Sequence, residues 1–187
     1  MKKIMIALAI AAFAVVSQGA YVKWSASNVF AGNTTDRYSG TAYLFDSSVT
    51  SQQALFDAFA AAVAADTTFD IASMAIDSQT VSANGAITSK TSTYGNAVTS
   101  YQFYFAIVDG DNMYLSNLKN VTTSGSETTA TAVGFGSQNS SSAGTFSSVA
   151  AAEGFQGAGY WSAAPEPTSG LLLLLGMAGL ALRRKQA

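Results

Sequence analysis

The sequence predicts a mainly β protein, an antiparallel, sandwich-like body carrying one amphipathic helix, with a short apolar segment at each end of the chain. Three observations lead there. Segments rich in aromatic and β-branched residues recur through the middle of the 187-residue chain and end in turn-forming residues. Two connections between such segments carry hairpin-forming residues. A single stretch of the body places its large apolar residues at helical spacing.

The elements follow in order. At the N-terminus, Lys2 and Lys3 precede "IMIALAIAAFAVV", residues 4 to 16, and then the small or polar Ser17, Gln18, Gly19 and Ala20. A charged start, a short apolar run and a small-residue exit describe a secretory signal peptide spanning 1–19. Cleavage after Gly19 puts Ser17 and Gly19 at the two small positions, whereas cleavage after Ala20 puts the larger Gln18 at one of them. The run is short for an uncleaved anchor, because a span needs roughly 20 apolar residues.

The body, 20–163, opens with candidate strands "YVKWSASNVF" (21–30) and "GTAYLFDS" (40–47). In "TSQQALFDAFAAAVAAD" (50–66), Leu55, Phe59 and Val63 fall on one helical face with Phe56 beside them. Thr50 followed by Gln53 fits a capping box. This helix is expected to cover one face of the sheet. Asn84-Gly85 between "SMAIDSQTVSA" and "AITSKTSTY" predicts a hairpin with a type I′ turn. Asp109-Gly110-Asp111-Asn112 between "TSYQFYFAIV" and "MYLSNL" predicts a second hairpin. Weaker strand signals follow at "ATAVGF" (130–135) and "GTFSSVA" (144–150). The Gly, Ser and Ala-rich stretch from 136, bounded at 163, is either a set of edge strands or a flexible stalk.

Composition narrows the chemistry. With no cysteine and no histidine, disulfides, thiolate nucleophiles, Cys/His zinc sites and imidazole catalysis are excluded. Between Tyr21 and Ala164 only Lys23, Arg37, Lys90 and Lys119 oppose ten acids, a net charge of about −6. Such a body repels nucleic acid and anionic membrane surfaces. No cofactor, metal or catalytic constellation is expected. Asp109-Gly110-Asp111-Asn112 resembles part of a calcium loop, but "MYLSNL" supplies neither the further oxygen ligands nor the distal Glu. Asp66, Asp70 and Asp77 read as solvated surface. Glu127 and Glu153, the body's only glutamates, lie in Ser/Thr/Gly-rich loops and make a poor glycosidase pair. Sequons stand at Asn33, Asn120 and Asn139.

The aromatics raise a different possibility. Tyr21, Trp24, Tyr38, Tyr43, Tyr94, Tyr101, Tyr104, Tyr114, Tyr160 and Trp161 are numerous beside the scarce charges, and exposed aromatics stack on sugar rings. In a strand Tyr101, Phe103 and Phe105 share one face while Gln102 and Tyr104 share the other, and one of these faces is core.

The C-terminal segment, 164–187, is the most informative. Pro165 and Pro167 keep "APEP" extended. The uncharged apolar run from Gly170 to Leu182 makes about 20 Å of helix, short against a hydrocarbon core of about 30 Å. Arg183, Arg184 and Lys185 resist translocation and leave the body on the far side of the membrane. These features, Pro165-Glu166-Pro167, a Leu-rich run with Gly176 and Gly179, and a terminal cation cluster, closely resemble the PEP-CTERM sorting signal. Ala164 stands where many members have Val.

The resemblance covers the tail alone. It implies export across the inner membrane of a Gram-negative bacterium after signal peptidase removes the leader. It further implies recognition of Pro165, Glu166 and Pro167 by exosortase, with Arg183, Arg184 and Lys185 as the stop-transfer signal. The inner membrane is then a transient partner, and the product a cell-surface or extracellular-matrix protein. The leading expectation for the body is a non-enzymatic role. The alternative is a carbohydrate-binding module for exopolysaccharide, and a carboxylate-based secreted hydrolase is third.

Overall fold

The computed structural model describes residues 19–31, 36–95, 98–137, 154–155 and 157–164. The body is mostly β, one curled mixed sheet with one helix on its outer side. Its strands are β1 (Tyr21–Ser27), β2 (Gly40–Asp46), β3 (Asp77–Val81), β4 (Ile87–Thr93), β5 (Ser100–Asp109), β6 (Asn112–Leu115), β7 (Lys119–Thr122), β8 (Thr131–Ser137) and β9 (Trp161–Ala163). Their order across the sheet is β8-β1-β4-β3-β2-β5-β6-β9, with β7 also paired to β5. Every pairing is antiparallel except β1 with β8, which is parallel. The expected antiparallel sheet thus becomes mixed at that one seam.

Curling follows from ring distances. Between β1 and β5 lie three strands, so a flat sheet would hold them about 19 Å apart at roughly 4.8 Å per step. Trp24 of β1 and Phe105 of β5 nevertheless have ring centroids 6.2 Å apart, and Phe135 of β8 stands edge-on to Phe105 at 5.1 Å. The sheet must roll around these rings. Beyond β7, Ser124 exchanges two backbone hydrogen bonds with Tyr21, of 2.8 and 3.0 Å, which draws the two ends of the roll together. The inner core contains Val22, Trp24, Leu44, Phe103, Phe105, Ile107, Tyr114, Val133, Phe135 and Trp161.

A second core lies outside the roll, where helix α1 (Gln52–Ala64) covers β2, β5 and β6. Leu55, Phe56 and Phe59 are buried there against Phe45, Tyr104, Ala106, Met113 and Leu115, while Val63 is half-buried. Strand β5 is therefore buried on both faces: Phe103, Phe105 and Ile107 point inward, and Tyr104 and Ala106 face the helix side. The face with Phe103 and Phe105 is core as expected, and the helix docking makes the other face core as well.

The helix starts one residue later than its sequence signal. Ser51 is the N-cap, its hydroxyl accepting the Ala54 N–H at 3.2 Å, and the Thr50/Gln53 capping box does not form. Gln53 instead donates to Asp57 one turn on, at 2.7 Å. The helix ends where Asp66 takes a positive φ of 52°. Thr67 N–H then bonds the Ala62 carbonyl and Asp66 N–H the Val63 carbonyl, the Schellman pattern. Ser51→Ala should cost about 1 kcal/mol in urea unfolding, whereas Thr50→Ala should change stability by less than about 0.5 kcal/mol. The reverse ranking would mean that Thr50 is the cap.

Both hairpins form. At the first, Gly85 N–H closes a four-residue turn onto the Ser82 carbonyl at 2.8 Å. Gly85 alone has positive φ, so the turn is not of type I′. Asn84 uses its side chain instead, accepting from the Ser82 hydroxyl and the Ala86 N–H. At the second, Asp109 pairs with Asn112 across Gly110-Asp111, and only Gly110 (φ 56°) is left-handed, as in the II′ family. The strand expected at 130–135 is β8, whereas the one expected at 144–150 lies outside the described residues. Trp161–Ala163, at the end of the stretch allowed as a stalk, instead form β9.

Strands β3 and β4 share one registered pair, Val81 with Ile87, and part beyond it. Asp77 bridges the opening, accepting from Trp24 Nε1 at 2.9 Å, from the Ser92 hydroxyl, and from Lys90 Nζ at 3.4 Å. The solvated-surface reading of Asp77 is thus corrected: its side chain keeps 14% of its exposure and ties three strands. Burial opposes its charged form, but the hydrogen bonds from Ser92 and Trp24, the Ser78 N–H and the Lys90 charge outweigh it and hold the carboxyl below its usual value. A depressed pKa contributes stability that is complete above the unfolded value of about 3.9 and is lost as pH falls through the folded one. Wild-type stability should therefore drop below about pH 4 more steeply than that of Asp77→Asn. Identical acid limbs in urea titrations at several pH values would refute this.

Candidate functional site

The segment that resembles a sorting signal follows β9, and neighbouring strands fix the chain up to it. β9 pairs with β6 through Asn112–Ala163, Met113–Ser162 and Tyr114–Trp161. Trp161 is the anchor. Only 2% of it is exposed, its ring lies 5.6 Å from Tyr114 and 5.8 Å from Tyr38, and its Nε1 donates to the Phe30 carbonyl at 2.9 Å. The residues after it are small, which lets the strand lie close to its neighbours. Ser162 is buried, and Ala163 accepts the Gly154 N–H at 3.1 Å. Ala164 then turns toward the helix-side core, 5% exposed, with its N–H on the Asp111 carbonyl at 2.9 Å.

The chain is therefore pinned through Ala164, the residue before Pro165. Pro165, Glu166, Pro167, Arg183, Arg184 and Lys185, together with the apolar run between them, lie outside the described residues. No helix among the described residues is long and apolar enough to cross a membrane. At the other end, Ala20 is buried beside the end of β4, donating to Gly95 and accepting from Tyr94 N–H at 2.6 Å. Gly19 and Ala20, the expected signal-peptide junction, thus abut the first strand.

Other candidates resolve into structure. Asp109 to Asn112 form the β5–β6 turn, and among the described residues no group of three or more acidic side chains gathers. Glu127 begins an exposed 3-10 turn, Glu127–Thr129, and Glu153 lies outside the described residues. No aromatic residue among those described is fully exposed, and Trp24 and Trp161 are core. Tyr21, Tyr43, Tyr94, Tyr101 and Tyr160 are half-buried. A shallow open depression of about 500 Å³ over the parted β3 and β4 is lined instead by Ser78, Thr80, Ser82, Thr88, Ser89 and Lys90 among others.

Two features carried no sequence signal. Asp46, 2% exposed, accepts from Ser48 N–H (2.9 Å), the Ser48 hydroxyl (2.8 Å) and the Tyr94 hydroxyl (2.6 Å). Burial, and then the bond to Asp46, push Tyr94 well above the usual phenol range. Burial does the same to Tyr104, whose hydroxyl donates to the Thr50 carbonyl at 2.8 Å. These phenols stay protonated and brace the β2–helix connection. The second is the docking of Trp161, which lies at the end of the stretch allowed as a stalk.

Comparison with known proteins bears on the tail. Residues 163–185 match the family model of the PEP-CTERM protein-sorting motif. No curated protein and no solved structure matches the chain. The tail is a PEP-CTERM sorting motif, and such a motif implies an exported protein processed by a membrane-associated exosortase.

Proposed function

We propose that the chain is delivered through the inner membrane, loses its signal peptide at Gly19–Ala20, is cut within its tail by exosortase, and serves at the cell surface or in the extracellular matrix without catalysing a reaction. The observation that carries this is the sorting motif at 163–185, which begins at Ala163, the end of the body's last strand. Division of labour supports it: Pro165-Glu166-Pro167 for recognition, the apolar run for transient membrane residence, and Arg183, Arg184 and Lys185 for retention of the cytoplasmic end. The non-enzymatic role is supported by a sequence without histidine or cysteine and with few charges.

Replacing Pro165, Glu166 and Pro167 together by alanine tests the sorting role. The exported variant should stay in the membrane fraction of an exosortase-containing host, while the wild-type chain leaves it. Equal partition of the two would overturn the assignment of those residues. A second reading, binding of exopolysaccharide, has in its favour the hydroxyl-rich depression over β3 and β4, whose neutral donors and acceptors suit sugar hydroxyls.

A further inference from the structure

The docking of β9 fixes where the sorting motif can be. An extended chain advances at most about 3.6 Å per residue, so the Pro167 Cα lies no more than roughly 11 Å from that of Ala164, and Gly170 no more than roughly 22 Å. The residues just upstream are not free to add slack. Trp161 fills the inner core, Ser162 is buried, and Ala164 is held by its bond to Asp111. Any enzyme that takes Pro165 to Pro167 into a cleft therefore meets the folded body at once. What it meets is the rim beside Ala164, made by the β5–β6 turn with its exposed Asp109, Gly110 and Asp111, and by β9 itself.

We infer that this rim is a contact surface for the membrane-embedded processing enzyme, and that the contact limits how fast the tail is removed. The inference rests on the sorting role proposed above and adds that the body, as well as the motif, is part of what the enzyme handles. Peeling β9 away would relieve the crowding, but it would expose Trp161 and break its bond to Phe30. The rim stays in place while the tail is engaged. A substrate with a slack linker before the same motif would lack this constraint.

The test follows conversion of exported precursor to tail-free product in pulse-chase, with the full-length chain and its exosortase. A Gly/Ser spacer of about eight residues between Ala164 and Pro165, reaching on the order of 15 Å on average, moves the rim away from the motif. It should speed conversion about threefold or more, within the range that variants of one interface show. Asp111→Arg, a bulkier side chain on the exposed rim, should slow conversion at least about twofold at native spacing and have no effect once the spacer is present. An unchanged rate with the spacer would overturn the inference. So would a spacer effect with no response to Asp111→Arg, which would point to strand release and away from surface contact. If no form, wild type included, loses its tail in the presence of exosortase, the sorting role itself fails and the inference falls with it.

Discussion

Trp161→Ala is expected to destabilise the body by about 4 kcal/mol, the middle of the range for truncating a buried tryptophan. The residue sits in β9, an edge strand of three residues that contributes few backbone bonds, so most of what holds this strand is the indole. It packs on Tyr38 and Tyr114 and satisfies the Phe30 carbonyl. Its removal opens a cavity in the inner core and frees the segment leading to Pro165. Urea unfolding of the exported protein measures the loss, with Trp24, the other tryptophan, as the fluorescent reporter. A loss below about 1 kcal/mol would mean that β9 is not docked as described.

Gly85→Ala should cost about 3 kcal/mol, by two separable effects. The first is conformational. Gly85 has a φ of 74°, where an alanine is strained by about 1 kcal/mol. The second is contact. A Cβ there would stand 2.6 Å from the Val29 carbonyl oxygen and 3.0 Å from its nitrogen, and these are backbone atoms that cannot swing aside. Val29 N–H also bonds the Gly85 carbonyl at 2.9 Å, so displacement breaks that link as well. Gly110→Ala is the natural comparison, because Gly110 shares the positive φ but has nothing within 4 Å of the added carbon. It should lose only the conformational part, about 1 kcal/mol. Equal losses at the two positions in the same urea assay would show that the Val29 contact does not matter.

The elements that could be read from the sequence were those set by local chemistry. Alternating aromatic and β-branched residues marked β1, β2 and β5, and Leu55, Phe56 and Phe59 marked the helix, because each pattern repeats within a few residues. The tail was legible for the same reason: prolines, apolar run and cations lie in order within one short segment. What escaped was non-local. Nothing near Thr131 announces that β8 will join β1 in parallel, and nothing near Trp24 says that its ring will meet Phe105 across a rolled sheet. Asp77 looked like surface because its partners, Trp24, Ser92 and Lys90, come from two other strands. Thr50 and Ser51 are both acceptable caps, and the choice between them is made where Tyr104 takes the Thr50 carbonyl. Trp161 followed a Gly-rich stretch whose composition suits a linker, yet one large apolar side chain is enough to dock a strand against a ready edge.

The body is proposed to be exported and then separated from its C-terminal tail by exosortase. The most direct measurement is the intact mass of the exported protein from paired hosts with and without the enzyme. The product made with exosortase should lack the mass of the apolar run and the cations from Arg183 onward, while retaining β9 through Ala164. The product made without it should carry the whole tail. An exported chain that keeps Gly170 to Ala187 in both hosts would make the tail a plain anchor and contradict the account.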